Sequence, residues 1–172
     1  MPNKNTFSMA PVRSMLSNEI QSDELWIDPF ANNSKWAKIT NDLNSEYDTN
    51  FHLDALEFLK LFDDNSVDGV LFDPPYSARQ IKECYQGIGL KIKGKETTQS
   101  SFWSKLKIEI ARIVKPRGKV ICFGWNTQGI GITRGFEMKK ILMIAHGGNH
   151  NDTLCTIELK GSSSDVMEPS GT

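Results

Sequence analysis

The sequence predicts an α/β domain, with a mostly parallel sheet that ends in a C-terminal antiparallel hairpin. Three observations carry the prediction. Short apolar runs alternate with longer amphipathic ones, as strands joined through helices do. Four aspartates, Asp28, Asp42, Asp54 and Asp73, each follow an apolar run, so all four are expected along one edge of the sheet. The last two apolar runs flank a turn too short for a crossover, which makes them antiparallel neighbours. At 172 residues, 38% hydrophobic and 24% charged, the chain has the size and composition of one soluble globular domain.

Each element has its own signal. Phe7 to Ile20 places Met9, Val12, Met15, Leu16 and Ile20 near helical spacing, and Pro11 limits where that helix can begin. Leu25-Trp26-Ile27 reads as a short buried strand ending at Asp28-Pro29. Lys38 to Asp42 is a second strand and Thr49 to Leu53 a weaker third. Asp54 caps a helix whose apolar face is Ala55, Leu56, Phe58, Leu59 and Phe62. Val67 to Phe72 is a strand stopped by Asp73-Pro74-Pro75-Tyr76. Ser101 to Val114 is an amphipathic helix closed by Lys115-Pro116-Arg117-Gly118, followed by a central strand, Lys119 to Phe123. Met138 to Ala145 and Thr153 to Leu159 form the hairpin around Gly147 to Asp152.

One spacing is anomalous. Only nine residues, Pro29 to Ala37, separate the first two strands, and six, Leu43 to Asp48, separate the second from the third. A parallel crossover usually takes about a dozen or more. The N-terminal half of the sheet is therefore expected to be pared down, or one of these strands is false. The Phe7 to Ile20 helix is expected to supply the missing packing.

Composition excludes several classes. No apolar run approaches the roughly 20 residues of a membrane-spanning helix, so no membrane partner is expected. The N-terminus lacks the apolar stretch of a secretion signal, which points to the cytoplasm. Cys84, Cys122 and Cys155 are odd in number and without C-x-x-C, so they read as reduced thiols rather than disulfides or a zinc site. Residues 1–160 are expected to form a single catalytic domain, and 161–172 a disordered polar tail with too few apolar groups to order itself.

The sharpest chemical signal is Asp73-Pro74-Pro75-Tyr76. In open α/β sheets, ligands bind just beyond strand carboxyl ends. The two prolines fix φ and remove two donors, which predicts a stiff loop with uncontested carbonyls. Asp73 and the Pro74 carbonyl can then both accept hydrogen bonds from one exocyclic amino group, while Tyr76 offers a flat π-face to a nucleobase. Two acceptors holding its hydrogens favour a pyramidal, nucleophilic nitrogen, and neither a cysteine nucleophile nor a metal is needed. A plain strand-ending turn with a packed tyrosine is the alternative. Chance produces such a motif in a chain this long at a rate of roughly half a percent.

Asp73-Pro74-Pro75-Tyr76 resembles the catalytic motif of the amino-group DNA methyltransferases, and the surrounding order resembles the compact, bacteriophage-type adenine-specific enzymes. The resemblance covers roughly residues 7–160. It implies a Rossmann-like methyltransferase fold, S-adenosylmethionine as cofactor, and methylation of adenine N6 in DNA within a bacterial host cell. Asp28-Pro29-Phe30-Ala31-Asn32 resembles the first cofactor motif, D-P-F-x-G. By the same resemblance Asp42 binds the cofactor's ribose hydroxyls, and Asp54, with Ala55 beside it, reads its adenine amino group. Phe123-Gly124-Trp125-Asn126 corresponds to a pocket-lining loop, the first helix to part of the methionine pocket, and His150 and Asn151 to a hairpin near the target base. From their chemistry alone, the four aspartates suit ribose diols and amines, or equally helix caps and turns. The chain departs from the family where Asn32-Asn33-Ser34 stand in place of the cofactor loop's glycines. Asparagine tolerates φ > 0 better than most residues. Other outcomes are an amino-methyltransferase acting on RNA, protein glutamine or cytosine N4, and an inactive nucleic-acid-binding or regulatory subunit of the same fold.

Rival motifs fail. Neither Gly87-Ile88-Gly89 nor Gly129-Ile130-Gly131 has the third glycine of a dinucleotide fingerprint. His146-Gly147-Gly148 lacks the G-x-S-x-G that would make it a hydrolase segment, and no third ligand stands near His146 and His150 in sequence. Charge is informative once divided. Arg79 to Lys119 holds eleven Lys or Arg against three Glu, a net of +8, whereas the whole chain is −1 and the remainder therefore −9. Lys91, Lys93 and Lys95 lie in a stretch suited to following a phosphate backbone, with a solvated face as the alternative. A separate target-recognition domain does not fit in this length. Sequence reading is left to short loops, a partner or a second copy in a homodimer.

Overall fold

The structure is a computed structural model that describes residues 6–75, 99–145 and 152–162, with the side chains of Thr6 and of residues 99–101 left aside. Six strands form one sheet: β1 (Trp26–Asp28), β2 (Ile39–Thr40), β3 (Val67–Phe72), β4 (Val114–Gly124), β5 (Phe136–Ile144) and β6 (Thr153–Lys160). The spatial order is β2-β1-β3-β4-β6-β5. The first four strands are mutually parallel, and β6 is antiparallel to both β4 and β5. The predicted parallel sheet with a reversed hairpin is thus the architecture found. The hairpin's second strand inserts between β4 and β5. Among the described residues three α-helices accompany the sheet: α1 (Ala10–Glu19), α2 (Ala55–Leu59) and α3 (Gln99–Ile113).

Both faces of the central strands are covered, which is why β3 and β4 are continuous apolar runs. On one face Val70, Phe72 and Val120 pack with Phe58 and Leu59 of α2 and with Leu106, Ile110 and Ile113 of α3. On the other, Leu71, Ile121, Phe123, Cys155 and Ile157 pack with Val12 and Leu16 of α1. Val12 and Leu16 are completely buried, so the first helix supplies the packing expected of it. Phe7 closes that layer edge-on against Phe123, at 5.0 Å between ring centroids. Gly69 has a steric reason: a Cβ there would lie 2.5 Å from the Trp26 indole on the neighbouring strand.

The anomalous spacing resolves in favour of the strands. β1 and β2 are parallel and in register, Ile27 with Ile39 and Asp28 with Thr40, although only the ten residues 29–38 join them. The connection contains no helix. Trp36 and Ala37 turn into the core beside α1, so α1 and the connector do together what a crossover helix does elsewhere. The third strand shrinks to a single parallel bridge between Asn41 and Phe51. The junction before β4 differs from expectation. α3 ends at Ile113, and β4 begins at once with Val114, taking in Lys115 to Gly118 through a register shift against β3. After β6, Gly161 donates its N–H to the Gly135 carbonyl at 2.9 Å. Among the described residues no helix is long and apolar enough to cross a membrane.

Candidate active site

The parallel strands deliver their carboxyl ends to one edge, and the predicted aspartates gather there. Asp28 ends β1 and is fully buried, because β1 is covered on both sides and Pro29 is buried behind it. Its Oδ1 accepts the Phe30 N–H at 3.0 Å, while Oδ2 is buried and has no donor among the described residues. Burial pushes its carboxyl well above the ordinary aspartate value; the Phe30 N–H opposes this, and the charges of Asp73 and Asp42 add to it. Asp42 follows β2 and Asp73 follows β3, the two parallel neighbours of β1, so the topology places the three carboxylates at one edge.

The Asn32-Asn33-Ser34 loop, expected to face the cofactor, contains one left-handed residue. Asn32 has φ +49, the left-handed conformation for which asparagine is the best substitute for glycine. Its N–H donates to Asp42 Oδ2 at 3.0 Å, and Asn44 N–H donates to Asp42 Oδ1 at 2.9 Å. Burial raises the Asp42 pKa; the Asn44 and Asn32 N–H groups and the nearby His52 hold it back. A carboxylate has about four acceptor positions, so Asp42 keeps capacity for a ligand. Asp54 is the N-cap of α2, its Oδ1 accepting the Leu56 N–H at 2.9 Å, and Ala55 beside it is buried.

A residue without a sequence signal joins these pieces. Asn41 is fully buried; its Nδ2 donates to the carbonyls of Pro29 (3.1 Å) and Leu53 (3.0 Å), and its Oδ1 accepts the Leu53 N–H (2.9 Å). Its backbone bonds both Asp28 and Ala31. One amide thus ties the ends of β1, β2 and the vestigial third strand. The only hint was an asparagine directly before an expected ligand.

Asp73 follows β3 half-buried and Pro74 is buried. The expectation of uncontested carbonyls fails at one position. The Trp103 indole N–H, from α3, donates to the Pro75 carbonyl at 3.2 Å. Burial first and the Asp73 charge second push the Cys155 thiol up to about 12, so Asp73 also lies beside β6, and Cys155 is an inert core thiol. In the loop after β4, Trp125 is 40% exposed, whereas Phe123 is buried against α1 and cannot line a pocket. Glu158 was not anticipated either: buried on β6, it accepts the N–H groups of Ile130 (2.6 Å) and Gly131 (2.9 Å) and anchors the return of that loop. Gly129 is bound to this arrangement, having φ +49 and room for no Cβ, which would lie 2.1 Å from the Glu158 carboxylate. Tyr76, Lys91, Lys93, Lys95, His150, Asn151 and Cys84 lie outside the described residues.

The basic segment is divided by the structure. Arg112 pairs with Glu109 and Asp64, Lys115 with Asp68, and Lys119 with Glu19, which Lys140 also reaches. These cations are matched within the fold, toward the amino ends of the strands.

Strand order, the displaced antiparallel strand and the polar carboxyl edge together define the Rossmann-like fold of the S-adenosylmethionine-dependent methyltransferases. Solved structures agree with it. A methyltransferase of that class from Methanosarcina mazei superposes with a TM-score of 0.53 over 86% of this chain and 97% of its own, at 12% identity. The 1,6-didemethyltoxoflavin-N1-methyltransferase of Burkholderia thailandensis, solved with S-adenosylhomocysteine, gives 0.58 over 90% and 79%, at 10% identity. The precorrin-6y C5,15-methyltransferase of Geobacter metallireducens gives 0.58 over 93% and 94%, at 12% identity. No protein family defined by sequence and no curated protein matches the chain.

Proposed function

We propose that this protein transfers a methyl group from S-adenosylmethionine to the exocyclic N6 amino group of adenine in DNA. The observation that carries the reading is the juxtaposition of Asp73-Pro74-Pro75, at the end of β3, with a buried Asp28 that has an acceptor oxygen to spare. The residues present fit the cofactor. An orphaned, desolvated carboxylate oxygen calls for a cation or a donor, and the cofactor has both an ammonium and a sulfonium. Asp28 and the Phe30 to Asn32 loop would hold its methionine part, Asp42 the ribose, and Asp54 with Ala55 the adenine. When bound, the cofactor supplies an electrophilic methyl group on sulfur.

The protein's own part is positioning. The Asp73 carboxylate and the Pro74 carbonyl accept the two amino hydrogens of the target base, keeping the nitrogen's lone pair out of the ring and available for attack. An adenine inside a duplex must first be flipped out, at a cost of a few kcal/mol, and stacking on Tyr76 offsets part of it. With Arg112, Lys115 and Lys119 engaged by acids, phosphate contacts are assigned to Lys91, Lys93 and Lys95.

The test is product identification. The protein is incubated with labelled cofactor and, separately, duplex DNA, RNA and protein; each is then hydrolysed and the methylated product identified. N6-methyladenine from DNA is the expected result. Label found only in RNA, glutamine or cytosine would reassign the substrate. No transfer to any of them, with cofactor binding demonstrated, would make the chain a non-catalytic subunit.

A further inference from the structure

The Asp73-Pro74-Pro75 loop has an unusual problem of self-support. Neither proline has an N–H, so the loop has few donors with which to fix its own carbonyls. Each carbonyl it displays must be held from outside or left to swing about ψ. For an acceptor pair to grip one amino group, its two oxygens must stay within about half an ångström of the working geometry. A stiff φ at each proline is not sufficient, because ψ remains soft.

Among the described residues, one side chain holds a carbonyl of this loop from outside. Trp103 stands near the start of α3, and its indole N–H meets the Pro75 carbonyl at 3.2 Å. Tryptophan is well suited to this task. Its nitrogen is a donor only, never an acceptor, and its ring is too large to turn freely in a packed site. The Trp103 side chain is partly buried, next to Phe102, which packs against the apolar core. Among the described residues none donates to the Pro74 carbonyl. The indole therefore occupies the carbonyl that the proposed chemistry does not use, and no described residue competes for the one it does use.

We propose that Trp103 is a positioning residue for the methyl-accepting site. Its indole N–H locks Pro75 and thereby aims the Pro74 carbonyl and the Asp73 carboxylate as a pair. The inference rests on the function proposed above and adds to it a residue 28 positions beyond Pro75. It also explains why a long helix is placed there. α3 spans the core from Phe102 to Ile113, so the clamp is mounted on a rigid element.

The test compares Trp103→Phe, which retains an aromatic ring without the N–H, with the wild type and with Trp103→Ala. In Trp103→Phe, kcat should fall about tenfold, equivalent to about 1.4 kcal/mol. KM for the nucleic acid, affinity for S-adenosylhomocysteine and Tm should stay close to wild type. A kcat unchanged in Trp103→Phe, with lowered Tm in Trp103→Ala, would mean that the side chain only packs, and would overturn the proposal. A second readout does not depend on substrate. The Trp103 indole proton, assigned in a ¹⁵N spectrum by its loss in Trp103→Phe, should exchange with solvent more slowly than that of the exposed Trp125. Fast exchange would overturn the clamp whatever the enzyme methylates. If the wild type makes no N6-methyladenine but methylates another amine, the substrate assignment fails, while the same fall in kcat on that amine together with slow exchange sustains the role of Trp103. If no substrate is methylated, slow exchange sustains the clamp and fast exchange rejects it.

Discussion

The two edges of the sheet treat charge in opposite ways. Toward the amino ends of the strands several charges are paired with opposite ones. Glu19 holds Lys119 and Lys140, Asp68 holds Lys115, and Lys160 reaches the carbonyls of Ala111 and Val114 at the end of α3. At the carboxyl ends, Asp28, Asp42 and Asp73 crowd together; Asp28 is buried with an orphaned oxygen, and Asp42 is held by backbone N–H groups. A matched edge stabilises the fold. An edge of like charges kept from water costs stability, and its expected return is a ligand that brings the missing positive charge.

Mutations should separate the two. The largest effect is expected at the carboxyl edge, where Asp73→Ala should lower turnover by about a thousandfold or more, roughly 4 kcal/mol of transition-state stabilisation. Thermal melting should hardly change, and a comparable loss of stability would show that Asp73 belongs to the scaffold.

At the amino edge, Glu19→Gln should leave kcat intact but cost about 1–2 kcal/mol, roughly 3–6 °C in Tm. The penalty stays below that of a fully buried pair because the Lys140 side chain is 66% exposed and can return to water. Burial alone would raise the Glu19 pKa, but the two lysines outweigh it and leave the pKa below the ordinary value of 4.5. The stability that Glu19 contributes is therefore complete above that pH and lost as the pH falls through the folded pKa. Melting curves of variant and wild type should converge in acid and diverge at neutral pH.

Asp28→Asn should have the opposite sign. The folded pKa of Asp28 lies above the unfolded value of 3.8, so the ligand-free protein loses stability as the pH rises from there to the folded pKa. Removing the charge should raise the Tm of the ligand-free protein at neutral pH by a few degrees, about 1 kcal/mol, and flatten that pH dependence. Cofactor affinity should fall. A variant less stable than wild type at pH 7 would mean that the carboxylate is satisfied in the free protein. The smallest effect is expected for Lys115→Ala, at most about 0.5 kcal/mol of stability for a half-exposed pair. Its affinity for DNA should match wild type, measured by salt-dependent binding; a marked loss would return the amino edge to the nucleic-acid surface.

Much of this was legible in the sequence, and the remainder has physical reasons for being hidden. Val67 to Phe72, the hairpin strands and the Asp54 cap could be read because periodicity and capping are local. Asn32 could be read because few residues other than glycine accept φ near +50. The short β1–β2 connection looked suspicious because crossovers generally contain a helix, and nothing local showed that α1 and Trp36 would fill that space. The pairing within the +8 segment was hidden for a related reason: a linear charge count ignores Glu19, 100 residues before Lys119, and Asp68, 47 before Lys115. Asn41 and the Trp103 clamp depend on tertiary contacts that no residue spacing announces.

The central claim is that the carboxyl edge is built for S-adenosylmethionine, and a calorimetric titration with S-adenosylhomocysteine tests it most directly. Wild type and Asp42→Ala are titrated side by side, with Tm recorded for each. The account predicts saturable one-to-one binding to the wild type, at least tenfold weaker in Asp42→Ala, with the ligand-free Tm of the two proteins within a few degrees. No binding to the wild type, or equal affinity in the two proteins, would contradict it.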